Sequence, residues 1–314
     1  MRTVVIARGL ANPCGVAIQP GTGHVFVSTP GRIIRITPEK AFAVSDEVVG
    51  FPRDHFGRGP VFEVGPLGLA FLSDETLIVG GGGLLDGEEL VRFYDVGTEP
   101  KPKGQALDVA EMRHHSDPLP ACEESKRGEG NFFGLAVGAS SIFVTCNGDD
   151  TKGWIAKIEI DDGPGPLTPF IQSKVLTELD APGGATMSPD GQLLVTQIGE
   201  LNPWPDALLV FYDPKTGQLE KMLETGLRDL TAVAYHPTTG ALYGVDFSWA
   251  EPAEGGLFRI DIVGSRVKTK KIASLVHPTA MAFDAKGNLY IAVIGEPAED
   301  DGAKTGQVVR IEGL

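Results

Sequence analysis

Cysteine is scarce in this 314-residue chain: only Cys14, Cys122 and Cys146 are present. An odd count with no Cys-x-x-Cys spacing excludes a disulfide scaffold and a zinc ribbon, and leaves free, mostly buried thiols as the expectation. Basic residues are also few, 27 Lys and Arg against 42 Asp and Glu, for a net charge of -15. No basic cluster interrupts that field, so phosphate backbones would be repelled and nucleic acid is excluded as a partner. No apolar run reaches the roughly 18–20 residues of a spanning helix, so no membrane insertion is expected. Met1 runs directly into RTVVIARGL, without the apolar core of a secretory signal. An initiator Met replacing a removed signal would look the same, which leaves the compartment open between cytoplasm and export.

Turn residues, by contrast, are plentiful, with 41 Gly and 23 Pro that follow no period of three. Between them lie short runs of Val, Ile, Leu and Phe rather than stretches of helical period. Many short strands are the reading of that pattern. With 42% hydrophobic residues the chain has material for a core.

The short runs repeat. Six copies of one motif begin NPCGVAIQP (12–20), GPLGLAFLS (65–73), NFFGLAVGA (131–139), APGGATMSPDG (181–191), DLTAVAYHP (229–237) and HPTAMAFDAKG (277–287). A second apolar run follows each (HVFVS, TLIVG, SIFVT, QLLVT, ALYGV, NLYIA), and then a third (RIIRIT, ELVRFYDV, WIAKIEI, ALLVFYD, GLFRIDI, QVVRIEG). A repeat of about 50 residues built from strands is that of a propeller blade. The fold expected is all-β: a six-bladed β-propeller of four-stranded antiparallel blades forming a single domain over 1–314. Fourth strands are visible at LEKMLET (219–225) and KTKKIASLV (268–276), whereas the sixth blade ends after three. RTVVIARGL is expected to supply its missing strand and close the ring, which removes the open sheet edges.

Two insertions interrupt the rhythm, at 43–64 and 98–130, and part of each must form a fourth strand; ALDVAEM fits that role for the second blade. The inner strands all run the same way through the channel. The connections entering them and those joining second to third strands therefore share one face. On that face lie both insertions and the loops CNGDDTKG (146–153), QIGELNPWPD (197–206), DFSWAEPAEG (246–255) and IGEPAEDDGAKTG (294–306). A concave, loop-lined mouth is where a small molecule or protein partner is expected to bind, the chain itself being a monomer. The residues placed there are Asn12, Cys14, Asn131, Asp229, His277, His115, Trp204 and Trp249. The adjacent pair His114–His115 sits with Asp117, Cys122, Glu123 and Glu124 in one insertion. Neighbouring histidines on an extended segment point opposite ways and do not share one ion without a turn. CNGDDTKG lacks the alternating oxygens and distal Glu of an EF-hand loop. GGGG (80–83) lacks the Lys and following helix of a phosphate loop and reads as close backbone packing or an entrance kept open.

APGGATMSPDGQLLVTQ resembles the first two strands of NHL-repeat and SMP-30/gluconolactonase-like propellers, a likeness of architecture along nearly the whole chain. Enzymes of that superfamily hold a divalent ion, usually calcium, in the channel. The ligands are a Glu of the first blade and the Asn or Asp of Pro-Asn-Gly and Pro-Asp-Gly motifs entering later inner strands. Carried over residue by residue, those two motif positions fall on Gly183 and Thr279. The other entries are Cys14, Leu67, Phe133 and Thr231, so no carboxylate stands among the six. Two residues earlier the ring reads Asn12, Gly65, Asn131, Ala181, Asp229 and His277. There Asn12, Asn131 and Asp229 are candidates for a displaced Ca2+ site, against the alternative that they terminate turns. No cofactor is otherwise implied. Two functions stand at this point. One is a non-catalytic, NHL-like binding propeller that uses its acidic, loop-rich face. The alternative is a divalent-metal-dependent hydrolase, of lactonase or esterase type, with a displaced ligand set.

Overall fold

The computed structural model describes all residues except 58, 149–152, 202 and 297–303. Six antiparallel sheets stand around a central channel. Their inner strands are Gly15–Ile18, Leu69–Phe71, Leu135–Val137, Pro182–Met187, Leu230–Tyr235 and Pro278–Phe283. Second strands follow at Val25–Thr29, Thr76–Gly80, Ser141–Thr145, Leu193–Gln197, Leu242–Asp246 and Leu289–Val293, and every residue in them is buried. A second strand is covered on both faces by neighbouring blades, so its sequence is a continuous apolar run instead of an alternation. Outer strands have one wet face, and Arg266–Ser274 accordingly alternates exposed and half-buried positions along most of its length.

Six buried clusters hold the ring together, one at each blade-to-blade interface. Between the sixth and first blades, for example, Tyr290 and Val308 meet Val16, Val25 and Ile6. Between the fourth and fifth, Leu194 and Leu209 meet Leu230, Val233 and Leu242. The N-terminal strand Arg2–Leu10 pairs antiparallel with the last strand, Gly306–Glu312, so the sixth blade takes its outer strand from the opposite terminus. Arg35 of the first blade is fully buried, donates to Glu47 at 2.9 Å and reaches the Val96 carbonyl of the second blade at 2.8 Å.

The second blade differs from the sequence expectation. Its fourth strand is His114–His115, paired with Arg92 and Phe93. Of ALDVAEM only Leu107–Asp108 is extended, and it lies parallel to Ala43–Val49 as a fifth strand of the first blade. Two-residue pairings are decided by which edge is within reach, which local pattern does not encode. Of the two readings of GGGG, close packing holds: a Cβ on Gly80 would fall 2.2 Å from the Phe132 carbonyl oxygen, and one on Gly83 would fall 2.1 Å from that of Pro52.

Candidate functional site

The channel itself is narrow and apolar. Residues of all six inner strands, among them Val16, Leu69, Leu135, Ala185, Val233 and Met281, line a cavity of about 70 Å³. Ligand pockets occupy some 300–1,000 Å³, so this space suits a few water-sized molecules and no sugar.

At the positions where the resemblance puts metal ligands, the chain joins blades. Thr279 donates to the Pro13 carbonyl at 2.8 Å, tying the sixth blade to the first. Thr231 donates to the Pro278 carbonyl at 3.0 Å, tying the fifth to the sixth. Ser28 and Thr145 do the same from second strands, to the carbonyls of Leu67 and Gly183, each at 2.7 Å. Cys14 is buried, and desolvation pushes its thiol up to about 12, far from a thiolate at neutral pH. Its Sγ lies 3.3 Å from the Asn12 carbonyl. Among the described residues no three His, Cys, Asp or Glu side chains gather as a metal-binding group. The residues present therefore do not fit the family's channel cation.

The ring two residues earlier is built largely of turns. Asn12, Asn131, Ala181 and His277 have φ of 27°, 49°, 56° and 52°, the left-handed conformation that bends each connection into its inner strand. The Asn12 amide donates to the Glu63 carbonyl at 3.0 Å, and that of Asn131 to the Asn147 carbonyl at 3.3 Å. The displaced trio Asn12, Asn131 and Asp229 is thus distributed over the first, third and fifth blades. Both of its asparagine amides are bonded to backbone carbonyls, that of Asn12 to a carbonyl 51 residues away.

Asp229 and His277 stand apart from the others. They occupy the same place in adjacent blades, immediately before Leu230 and Pro278, and each is 1% exposed. Asp229 Oδ2 accepts the Trp249 backbone N–H at 2.5 Å, while Oδ1 has no partner among the described residues. Burial, with Asp246 and Asp206 nearby, pushes this carboxyl up to about 7. His277 Nδ1 lies 3.0 Å from the Gly295 carbonyl oxygen, which can only accept, so Nδ1 carries a proton. Burial lowers the pKa of the ring and favours the neutral form. Nε2 is then bare, and it too lacks a partner among the described residues. A histidine whose Nδ1–H is fixed by a backbone carbonyl presents Nε2 in a defined tautomer and orientation.

An aromatic cluster packs against His277, and the backbone of two of its members bonds Asp229. Asp54–Phe56 and Phe62–Val64 form a hairpin inside the first insertion. Phe62 reaches from there to residues of the fifth and sixth blades, with its ring 6.0 Å from Phe247, 5.5 Å from Trp249 and 5.6 Å from His277. Phe247 stacks on Trp249 at 5.5 Å and sits 4.5 Å from the His277 ring. Its backbone N–H donates to the Asp229 carbonyl at 2.9 Å. Phe56 closes on Trp249 from outside at 5.7 Å. Phe62 and Phe247 are not singled out by sequence pattern. The available signal is an aromatic just beyond a strand end, at a loop position that is ordinarily polar.

The other sequence-predicted residues lie elsewhere. His115 is exposed on the outer strand of the second blade, away from the mouth, with Nδ1 2.9 Å from the Ser116 carbonyl. That placement corrects its assignment to the channel mouth. Trp204 is 69% exposed on the fourth-blade loop and is not part of the aromatic cluster around half-buried Trp249. Of the loops singled out from sequence, 149–152, Asn202 and 297–303 fall outside the described residues.

Comparison with solved structures adds the architecture's known uses. A glucose dehydrogenase superposes with a TM-score of 0.66 at 14% identity, covering 100% of both chains. The soluble aldose sugar dehydrogenase of Escherichia coli gives 0.64 at 13%, covering 98% of each. A gluconolactonase from Xanthomonas campestris gives 0.61 at 13%, covering 98% of this chain and 88% of its own. The chain shares their propeller fold. Identities this low carry the fold alone, because propellers host unrelated chemistries. No family model matches the chain, and no curated protein matches it. No helix among the described residues is long and apolar enough to cross a membrane.

Proposed function

We propose that this propeller is a hydrolase of the lactonase or esterase type, acting on a small molecule at the mouth over blades five and six. The observation that carries the reading is the pair of buried, unpartnered polar groups, Asp229 and His277, beside one aromatic cluster. Burying a polar group without a partner costs roughly 1–3 kcal/mol. Two such groups at equivalent places in adjacent blades are an expense that packing does not explain, and unexplained polar burial of this kind gathers at functional sites. The fold likeness to a gluconolactonase supports the same class of reaction. The reading calls on no calcium at the channel positions, where the Thr231 and Thr279 hydroxyls make inter-blade hydrogen bonds.

A second reading, a non-catalytic binding propeller of NHL-like type, is favoured by one feature: Phe62, only 5% exposed, seals the mouth. The acidic balance of the chain would then favour a ligand carrying positive charge. The deciding experiment is hydrolysis of a panel of lactones and aryl esters by purified protein, with and without chelator, beside an elemental analysis. Turnover that survives chelation supports the hydrolase. Absence of turnover on every substrate leaves the binding propeller. Turnover that needs a stoichiometric metal ion overturns the metal-free reading.

A further inference from the structure

We infer that the outer wall between blades five and six carries a binding site for a small organic anion with an apolar body. Such a site is separate from the reaction at the mouth. The wall opens in a cavity of about 470 Å³, a size within the roughly 300–1,000 Å³ of ligand pockets. Tyr243, which is buried, and half-buried Ile272 and Leu314 give it an apolar floor, while Arg259, Lys270 and Asp261 supply its charged side. Strand Leu242–Asp246 runs up to the mouth, so Tyr243 at its start places the cavity toward the other end of the ring. The two strands that build it depart from the charge of the chain. Gly256–Val263 and Arg266–Ser274 contain Arg259, Arg266, Lys268, Lys270 and Lys271 against one acid, Asp261, in a protein of net charge -15. The acidic field expected from the sequence is interrupted there.

Residues directly opposite on paired antiparallel strands share one side of the sheet. The register sets Arg259 opposite Lys270, Asp261 opposite Lys268 and Val263 opposite Arg266. Arg259, Arg266, Lys268 and Lys270 therefore stand with Asp261 on the side that lines the cavity. Lys271 is engaged elsewhere, with the Ala253 carbonyl at 3.2 Å and the Phe258 ring at 5.7 Å. Asp261 accepts from Arg259 Nε at 3.0 Å, and among the described residues Arg266, Lys268 and Lys270 have no ion pair. The facing wall brings no acidic side chain. Val5 and Ile311 of blade six pack toward blade five, so the adjacent Glu312 points the other way, where it pairs with Arg310. Met1 and Leu314 line the cavity too, and their terminal charges are of opposite sign. Like charges directly opposite on neighbouring strands repel, and packing requires neither Arg259 nor Lys270, since both are exposed. An anion between them converts that repulsion into attraction. Arg259 spends Nε on Asp261 and retains its two terminal nitrogens for a pair of oxygens, to which the Lys270 ammonium adds a point charge. A carboxylate and a phosphate monoester both offer that pair of oxygens, and the apolar floor selects one carried on an aryl or alkyl body.

Isothermal titration calorimetry of the full chain tests the site, with phenyl phosphate and 4-phenylbutyrate as probes. Inorganic phosphate and 4-phenylbutan-1-ol are the controls that lack the body or the charge. Each probe is expected to bind at least about 10-fold more tightly than its control, and less tightly as salt is added. Arg259→Gln and Lys270→Gln are each expected to weaken both probes about 10-fold, and the exposure of both side chains lets these variants fold. Asp261→Asn removes the carboxylate that competes for Arg259 and is expected to tighten binding about 2-fold, a change that a merely structural aspartate would not give. The probes should also raise the melting temperature of the parent and not that of the doubly substituted chain. The alcohol binding as tightly as 4-phenylbutyrate overturns the anion site. Inorganic phosphate matching phenyl phosphate reduces the cavity to an open basic patch and overturns it as well. So do affinities unmoved in Arg259→Gln and Lys270→Gln, or neither heat nor a melting shift from any probe at about 10 mM.

Discussion

The channel wall and the mouth above blades five and six are built from the same repeated motif and treat polar groups in opposite ways. In the channel, the hydroxyls of Thr231 and Thr279 bond a carbonyl of the next blade, so the wall is satisfied and closed. A few residues away, Asp229 and His277 keep an acceptor without a partner. The repeat therefore supplies a scaffold that is complete in itself, and function is left to places where one copy departs from the others. Breaking the scaffold should remove everything, while breaking the mouth should spare the fold.

The largest effect expected is on ring closure. Deleting residues 1–9 strips most of the outer strand from the sixth blade and exposes the edge of Gly306–Glu312. It also removes Ile6 and Ala7 from the cluster that joins the sixth blade to the first. The truncated chain is expected to be insoluble or to lack a cooperative thermal transition by circular dichroism. A truncation melting like the parent would show that the ring holds without its closing strand.

At the mouth the cost should be finite. Phe62→Ala removes the ring that touches Phe247, Trp249 and His277, and deletion of a buried Phe typically costs about 3–5 kcal/mol. The hairpin lies on the ring's surface and can partly close over the gap, so about 2–3 kcal/mol is expected from urea unfolding, with a red shift of tryptophan emission. A full-sized loss with unchanged emission would place Phe62 in the core and deny it the role of a cover.

The buried carboxyl of Asp229 also sets a pH dependence. Asp229 titrates near 7 in the folded chain, against 3.8 for an ordinary aspartate. Between those values the folded state keeps a proton that the unfolded state has released. Stability is therefore fully present below about pH 4 and is lost as pH rises toward and through 7. Burial pushes Asp246 and Glu89 in the same direction, so they share the slope. Asp229→Asn is expected to remove its own part, on the order of 2 kcal/mol between pH 5 and 8. Urea midpoints at the two pH values measure it, and an unaltered difference in the variant would acquit Asp229.

How much of this the sequence discloses depends on what burial does to a pattern. Second strands such as Val25–Thr29 and Leu289–Val293 are covered on both faces, so their apolar runs repeat and the blades can be counted. Ring closure follows from that count, because the last blade lacks one strand. His114–His115 becomes a strand only because the edge of Val91–Asp95 is within reach, and two residues carry no period. At the mouth, position alone singles out Asp229 and His277. Their lack of partners is invisible in sequence, because the aromatic ring packed beside them is Phe62, far away in the chain in the insertion that follows the first blade.

The smallest effect separates strain from function among the inner-strand entries. Four of these residues are left-handed, yet Asn12 and Asn131 compensate with side-chain hydrogen bonds to backbone, and His277 with one at Nδ1. Ala181, with φ of 56°, has no side-chain polar group to do so. For a residue with a Cβ that conformation costs roughly 1–2 kcal/mol, whereas glycine adopts it freely and gives back roughly 0.5–1 kcal/mol in unfolded-state entropy. Ala181→Gly is therefore expected to raise stability by about 0.5 kcal/mol. Asn12→Gly should lower it by a similar amount, since it gives up the bond to the Glu63 carbonyl along with the strain. Equal shifts of the two urea midpoints would mean that the asparagine amides contribute nothing. Opposite shifts would mean that the asparagine entries are held by their side-chain hydrogen bonds, whereas Ala181 carries uncompensated strain.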